Sequence, residues 1–205
     1  MLLKICGITS VNDALAAASA GADFLGLILV SGSKRFVTPE QAASIIAASS
    51  AKCVLVTRDL PLAALQTLVD NLHPYAVQLH GGESAEYASA LRRVQVWKAF
   101  NLNSQLDLDA AAAFPAELLV ADSGGGTGKP CDWRLAAALA RRHRLLLAGG
   151  LCIENVLEAI AAVQPEGIDI SGGVEASPGV KDHGKLRSLA ALLSRQEKQH
   201  SSSES

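Results

Sequence analysis

The stretch Arg144-Leu145-Leu146-Leu147-Ala148-Gly149-Gly150, a helical run over Asn155–Val163, and then Gly167-Ile168-Asp169-Ile170-Ser171-Gly172-Gly173 together make one structural unit. An apolar run stops at a glycine turn, a segment of helical character follows, and a second apolar run stops at a second glycine turn. Both runs are close to continuously apolar, as expected of strands covered on both faces. Two such strands joined through a helix are parallel neighbours, because a parallel pair needs a crossover connection.

The same unit recurs along the chain. Strand runs fall at Leu2–Ile8, Phe24–Val30, Lys52–Thr57, Ala76–Leu79, Val94–Phe100, Leu118–Ala121, Arg144–Ala148 and Gly167–Ile170. Helical stretches follow at Val11–Ala20, Pro39–Ala48, Pro61–Leu72, Ser84–Arg93, Leu106–Phe114, Trp133–His143, Asn155–Val163 and His183–Arg195. Thr38-Pro39-Glu40-Gln41 is a capping-box start, and Ser84 and Asp132 are N-cap residue types. A doubly wound open sheet also alternates strand and helix. Eight similar repeats, with no GxGxxG after the first strand, favour closure instead. The expectation is an α/β chain forming a single (β/α)₈ TIM barrel over residues 1–195, a closed parallel sheet with outer helices. Residues 196–205 are polar and serine-rich and are expected to form a mobile tail.

Composition narrows the function. Of 205 residues, 49% are hydrophobic and 19% charged, so a large core forms and global disorder is excluded. A net charge of -2 gives no electrostatic case for nucleic acid or an acidic membrane surface. No uninterrupted apolar run reaches membrane-spanning length. The densest basic patch, Arg141-Arg142-His143-Arg144, reads as a solvated helix end. Cys6, Cys53, Cys131 and Cys152 show no CxxC spacing and no zinc-like grouping with histidine. With no signal peptide either, the expectation is free thiols in the cytoplasm and no metal.

In this fold the chemistry sits at the C-terminal ends of the strands. The first run ends in Lys4-Ile5-Cys6-Gly7-Ile8-Thr9. Cys6 is a base or nucleophile if it has thiolate character, and otherwise a small buried residue. Asp122 closes the sixth run before Ser123-Gly124-Gly125-Gly126, so it is either a carboxylate at the mouth or a turn cap. Together they suit acid–base proton transfer next to a carbonyl or imine. Gly149, Gly150, Ser171, Gly172 and Gly173 end the seventh and eighth runs, the usual phosphate position of this fold. Arg35, in Ser33-Lys34-Arg35-Phe36-Val37, is a two-pronged carboxylate grip or an exposed loop residue. His80, after Val77-Gln78-Leu79, is a pocket donor or a loop histidine. His73, His143, His183 and His200 receive no role, and Trp97 and Trp133 read as packing residues.

From Leu2 to Leu193, in colinear order, these pieces resemble the phosphoribosylanthranilate isomerases of tryptophan biosynthesis. The most specific are Lys4–Thr9, Ser33–Val37, Val77–Gly81, and Asp122 with Gly125-Gly126-Thr127-Gly128-Lys129 and Asp132-Trp133. Ala148–Leu151 with Asn155-Val156, and Asp169–Glu175 with Pro178-Gly179-Val180-Lys181-Asp182, complete the set. The resemblance implies an Amadori rearrangement of N-(5-phosphoribosyl)anthranilate to 1-(o-carboxyphenylamino)-1-deoxyribulose 5-phosphate. It implies no cofactor, a phosphorylated small-molecule substrate, and a monomer or homodimer. By the same resemblance Asp122 is the general acid, Cys6 the general base and Arg35 the partner of the anthranilate carboxylate. Gly149, Gly150, Ser171, Gly172 and Gly173 hold phosphate, and Asp169 and His80 line the pocket.

Some positions depart from the family pattern. Val54-Leu55-Val56-Thr57-Arg58-Asp59 replaces a Gly-Val-Phe-Val-Asn-like run, which predicts a reshaped third loop. Leu27 and Leu29 stand at aromatic positions, which predicts a looser pocket wall. Gly172 replaces a second serine, and Cys131 an aromatic. These departures keep open a lapsed, phosphate-binding barrel acting as sensor or scaffold, which turnover of substrate would exclude. A dual tryptophan/histidine-pathway isomerase is a second alternative, opposed by a cysteine where that chemistry uses an aspartate. A Schiff-base aldolase is a third, with Lys98 as its lysine and no partner for it legible in the sequence.

Overall fold

A computed structural model describes residues 1–123 and 131–203, with side-chain surroundings described as far as residue 196. The glycine-rich piece Gly125-Gly126-Thr127-Gly128-Lys129 and the last two residues lie outside the described residues. Strands and helices alternate as β1 (Leu2–Cys6), α1 (Val11–Ser19), β2 (Phe24–Ile28), α2 (Pro39–Ala48), β3 (Lys52–Thr57), α3 (Leu62–Leu72), β4 (Ala76–Leu79) and α4 (Ala85–Ala90). They continue as β5 (Gln95–Asn101), α5 (Gln105–Ala113), β6 (Leu118–Asp122), α6 (Trp133–Ala140), β7 (Leu145–Leu147), α7 (Val156–Val163) and β8 (Gly167–Ile170). A hairpin of β9 (Glu175–Ser177) and β10 (Val180–Lys181) precedes α8 (His183–Ser203).

All eight main strands are parallel, and β1 pairs with both β2 and β8, so the sheet closes. The closed (β/α)₈ barrel expected from the sequence is therefore the observed fold. Successive strand residues point to opposite faces. Outward residues such as Leu25, Leu27, Leu55, Leu119 and Ile170 join the shell core with Ala14, Ile45, Leu65, Leu139 and Leu189 of the helices. The inward register fills the lower barrel with Phe24, Val54, Trp97, Leu118, Val120 and Leu146. Phe24 and Trp97 meet edge to face at 4.9 Å, which confirms Trp97 as a packing residue.

Local signals acted as read. Thr38 and Gln41 form the reciprocal capping box, and Ser84 and Asp132 cap α4 and α6. Helix α4 is shorter than Ser84–Arg93, because Leu91 turns extended and Arg93 takes φ 72°. The β9–β10 hairpin is absent from the sequence reading. It folds around Pro178-Gly179, with Gly179 at φ 86° supplying the turn. Helix α8 runs beyond Arg195, to Ser203.

Candidate active site

Three strands of the upper barrel carry polar pairs on the inward register, two residues apart. Lys4 and Cys6 share β1, Gln78 and His80 lie at the end of β4, and Asp169 and Ser171 at the end of β8. These pairs open into a cavity of about 680 Å³, within the ordinary range for a small-molecule site. All ten residues singled out from the sequence line it: Cys6, Arg35, His80, Asp122, Gly149, Gly150, Asp169, Ser171, Gly172 and Gly173.

Cys6 is buried and sits above Gly26, where a Cβ would come within 2.6 Å of its sulfur. Burial pushes the thiol above its ordinary range, while the Lys4 and Lys181 ammoniums oppose that shift. Lys4 donates to Asp169 Oδ2 at 2.6 Å, a pairing set by the β1–β8 register, in which the two residues are direct partners. Burial resists the Lys4 charge, but Asp169 and Cys6 override it and hold its pKa above the usual lysine range. Asp169 Oδ1 has no protein partner among the described residues. Lys181, on the hairpin, reaches Cys6 O at 2.6 Å, Ser171 O at 3.2 Å and Glu175 Oε1 at 2.9 Å. Burial nonetheless pulls the Lys181 ammonium below the usual range.

Arg35 reaches the cavity, but its fork is engaged within the protein. Nε and Nη2 donate to the two oxygens of Glu175 at 2.8 and 2.7 Å. The two-pronged grip expected on a substrate carboxylate is thus made on Glu175. Gly7, at φ 74°, lets the chain pass beneath this pair, since a Cβ there would strike the Arg35 side chain.

On the other side of the mouth, Asp122 ends β6. Its Oδ1 accepts from Ser123 N–H at 2.6 Å, and Oδ2 lies 3.2 Å from His80 Nε2. Gln78 Nε2 lies 3.3 Å from His80 Nδ1, while His80 Nε2 is close to Asp122 but makes no hydrogen bond among the described residues. The glycine loops complete the wall. Gly149 has φ 80°, and a Cβ on it would crowd Ser123. Gly173 bridges to Cys152, so these two loops are stitched together. The Ser171 hydroxyl is buried with no protein partner among the described residues. Gly172 is a different case. A Cβ there would make only ordinary contacts, the nearest 3.5 Å from Arg35 Nη2, so the absence of a serine is not enforced by space.

Two sequence expectations need correction. Leu27 and Leu29 are buried in the shell core on the outward register, and the pocket wall here is Ile28, the last residue of β2, with Val30 just beyond it. The missing aromatics therefore do not loosen the wall. Lys98 does have a partner, Glu83, and is not among the cavity-lining residues, so the Schiff-base reading fails. The sequence reading missed Lys4, Gln78, Arg58, Glu175 and Lys181. The two-residue spacing Lys4–Cys6 and Gln78–His80 was the available signal for two of them. Arg58, in the altered third loop, lines the mouth and donates to His80 O at 3.2 Å.

The family model for N-(5'phosphoribosyl)anthranilate (PRA) isomerase matches residues 3–191. The N-(5'-phosphoribosyl)anthranilate isomerase of Pelobacter propionicus is 40% identical over 197 residues, covering 93% of this chain and 94% of the relative. The crystal structure of the phosphoribosyl anthranilate isomerase of Thermus thermophilus superposes with a TM-score of 0.90 at 38% identity, covering 96% of this chain and all of that one. A phosphoribosyl anthranilate isomerase in complex with reduced 1-(o-carboxyphenylamino)-1-deoxyribulose 5-phosphate gives 0.86 at 33% identity, over 95% of this chain and 99% of that one. The match runs from the first strand to the last helix and takes in every pair of residues around the mouth, and on that ground the chain belongs to the N-(5'-phosphoribosyl)anthranilate isomerase family.

Proposed function

We propose that the chain carries out its family's isomerisation with Asp122 as acid and Cys6 as base. The substrate is N-(5'-phosphoribosyl)anthranilate. Asp122 gives its proton to the furanose ring oxygen as the C1–O bond breaks, and the anilino nitrogen's lone pair forms the C1=N bond of a protonated Schiff base. That cation acidifies the C2 proton. Cys6, as thiolate, removes it, and the C–H electrons form the C1=C2 bond of an enolamine. Tautomerisation of the C2 enol gives the ketone. The reading is supported above all by one observation: the thiol and the carboxylate come from separate strands and line one cavity, with the glycine loops and Arg35 on the same rim.

The remaining groups take parts that their chemistry allows. The Ser171 hydroxyl and the loops at Gly149-Gly150 and Gly172-Gly173 receive the phosphate, where glycine lets backbone N–H groups approach an anion. Arg35 meets the anthranilate carboxylate with the edge that Glu175 does not use. Asp169 Oδ1 accepts from a sugar hydroxyl. The four free thiols suit a reducing compartment, and the reading extends to the cytoplasm.

The test is turnover, followed by loss of substrate fluorescence. Cys6→Ser keeps the size but loses the accessible thiolate, and Asp122→Asn keeps the shape but loses the proton. Each is expected to fold, to bind the reduced product, and to turn over at least ~10²-fold more slowly. Near-wild-type turnover by either folded variant removes that residue from the mechanism.

A further inference from the structure

Lys98 belongs to no step above, yet it is among the more deeply buried charges of the protein, 3% exposed. From β5 its ammonium donates to Gly81 O and, at 2.9 Å, to Glu83 Oε2. The rings of Phe100 and Phe114 flank it at 5.6 and 5.8 Å. Glu83 is equally enclosed. Its Oε1 accepts from Asp59 N–H and its Oε2 from Gly81 N–H, both at 2.9 Å. Burial resists the Glu83 charge, but these donors override it and hold its carboxyl below the usual range.

These bonds converge on one short loop. Both backbone polar groups of Gly81 are tied to the Lys98–Glu83 pair. Gly82 N–H donates to Asp59 Oδ1 at 2.7 Å. A Cβ on Gly81 would collide with the Asp59 carboxylate, so the loop has no slack. The residue just before Gly81 is His80. Its own N–H is held by Thr57 O at 2.8 Å and its carbonyl by Arg58, and its ring stands 3.2 Å from Asp122. A buried ion pair is weak as a source of stability, since an apolar pair of similar volume often does as well or better. What apolar side chains cannot supply is directional bonding to both the N–H and the carbonyl of Gly81, which pins two successive peptide units.

We propose that the buried Lys98–Glu83 pair is a positioning device for the acid half of the reaction. It fixes the 80–83 loop, and with it the place of the His80 ring beside Asp122. Neither residue touches substrate, and both act through His80. The inference rests on the reading of Asp122 as the acid.

The experiment is a double-mutant cycle in steady-state kinetics. Glu83→Gln and Lys98→Met each break the pair. The double variant Lys98→Met/Glu83→Gln removes both charges and avoids leaving one buried alone, which protects folding. In folded protein kcat is expected to fall about 10- to 100-fold, the scale of a misplacement of about 1 Å, with KM unchanged. The rate of Cys6 alkylation should also be unchanged, because the thiol lies in the other half of the mouth. In a His80→Asn background the same substitutions should lower kcat no further, since their effect passes through His80. Losses that multiply with His80→Asn would overturn the proposal. So would wild-type kcat in the folded double variant, or a parallel change in KM and Cys6 reactivity. Wild-type turnover by Asp122→Asn would instead remove the underlying reading, and it is a separate measurement from the Glu83–His80 cycle.

Discussion

At the scale of single residues, the central tension is that the group proposed as base is held as a thiol. Cys6 is raised by burial and only partly relieved by Lys4 and Lys181. A protonated thiol accepts nothing, so its reactivity must rise with pH, with a midpoint above the ordinary thiol value of about 8.5. The alkylation rate of Cys6, followed against pH with labelled sites mapped by mass spectrometry, should show that alkaline midpoint. A midpoint below the ordinary value would mean that the two ammoniums outweigh burial. Cys6, Asp122 and the glycine turns were legible because strand ends are marked by the loss of apolar residues. Lys4 and Gln78 were harder to read, because each looks like an isolated interruption in an apolar run and the two-residue spacing to Cys6 and His80 is the one sign they carry. Only the closed barrel gives them an interior to face.

At the scale of elements, the β9–β10 hairpin is the part of the site furthest from a sequence signal. Its strands are too short to show a period, and its contacts cross the whole chain. Glu175 binds Arg35 and Lys181, and Lys181 N–H donates to Asp13 of α1 at 3.2 Å. Burial disfavours the Glu175 carboxylate, yet its two cationic partners hold the folded pKa below the ordinary value. The sign follows from that depression: the stabilisation is complete above the ordinary glutamate range, near pH 4.3, and is lost as pH falls through the lower folded value. Hydrogen exchange of the hairpin amides, corrected for intrinsic rates, should therefore accelerate on acidification before the barrel opens. In Glu175→Gln the hairpin should be loose at neutral pH already, with no further acid step. Hairpin protection in the wild type that holds until global unfolding would show that other contacts carry the element.

At the scale of the whole molecule, the fold was the easiest feature to read and the substrate's grip the hardest. Eight repeats and a handful of caps specify a closed barrel through local rules. The engagement of Arg35 by Glu175 joins residues 140 positions apart and follows from no local rule. Ligand linkage tests the assembled site. Saturation with reduced product at 100 times its Kd should add about 2.7 kcal/mol of stability, or roughly 5–10 °C in Tm for a chain of this length. At the same concentration Arg35→Ala should show a clearly smaller shift. An equal shift would mean that the carboxylate is held elsewhere.

The apolar plug of Phe24, Trp97, Val120 and Leu146 closes the floor of the barrel, and among the described residues the cavity opens at the glycine rim. Whatever enters over the glycine rim must leave over it, so reactant and product queue for a single berth and never pass one another. Substitutions in that apolar floor can then tune stability at a distance from the groups at the rim.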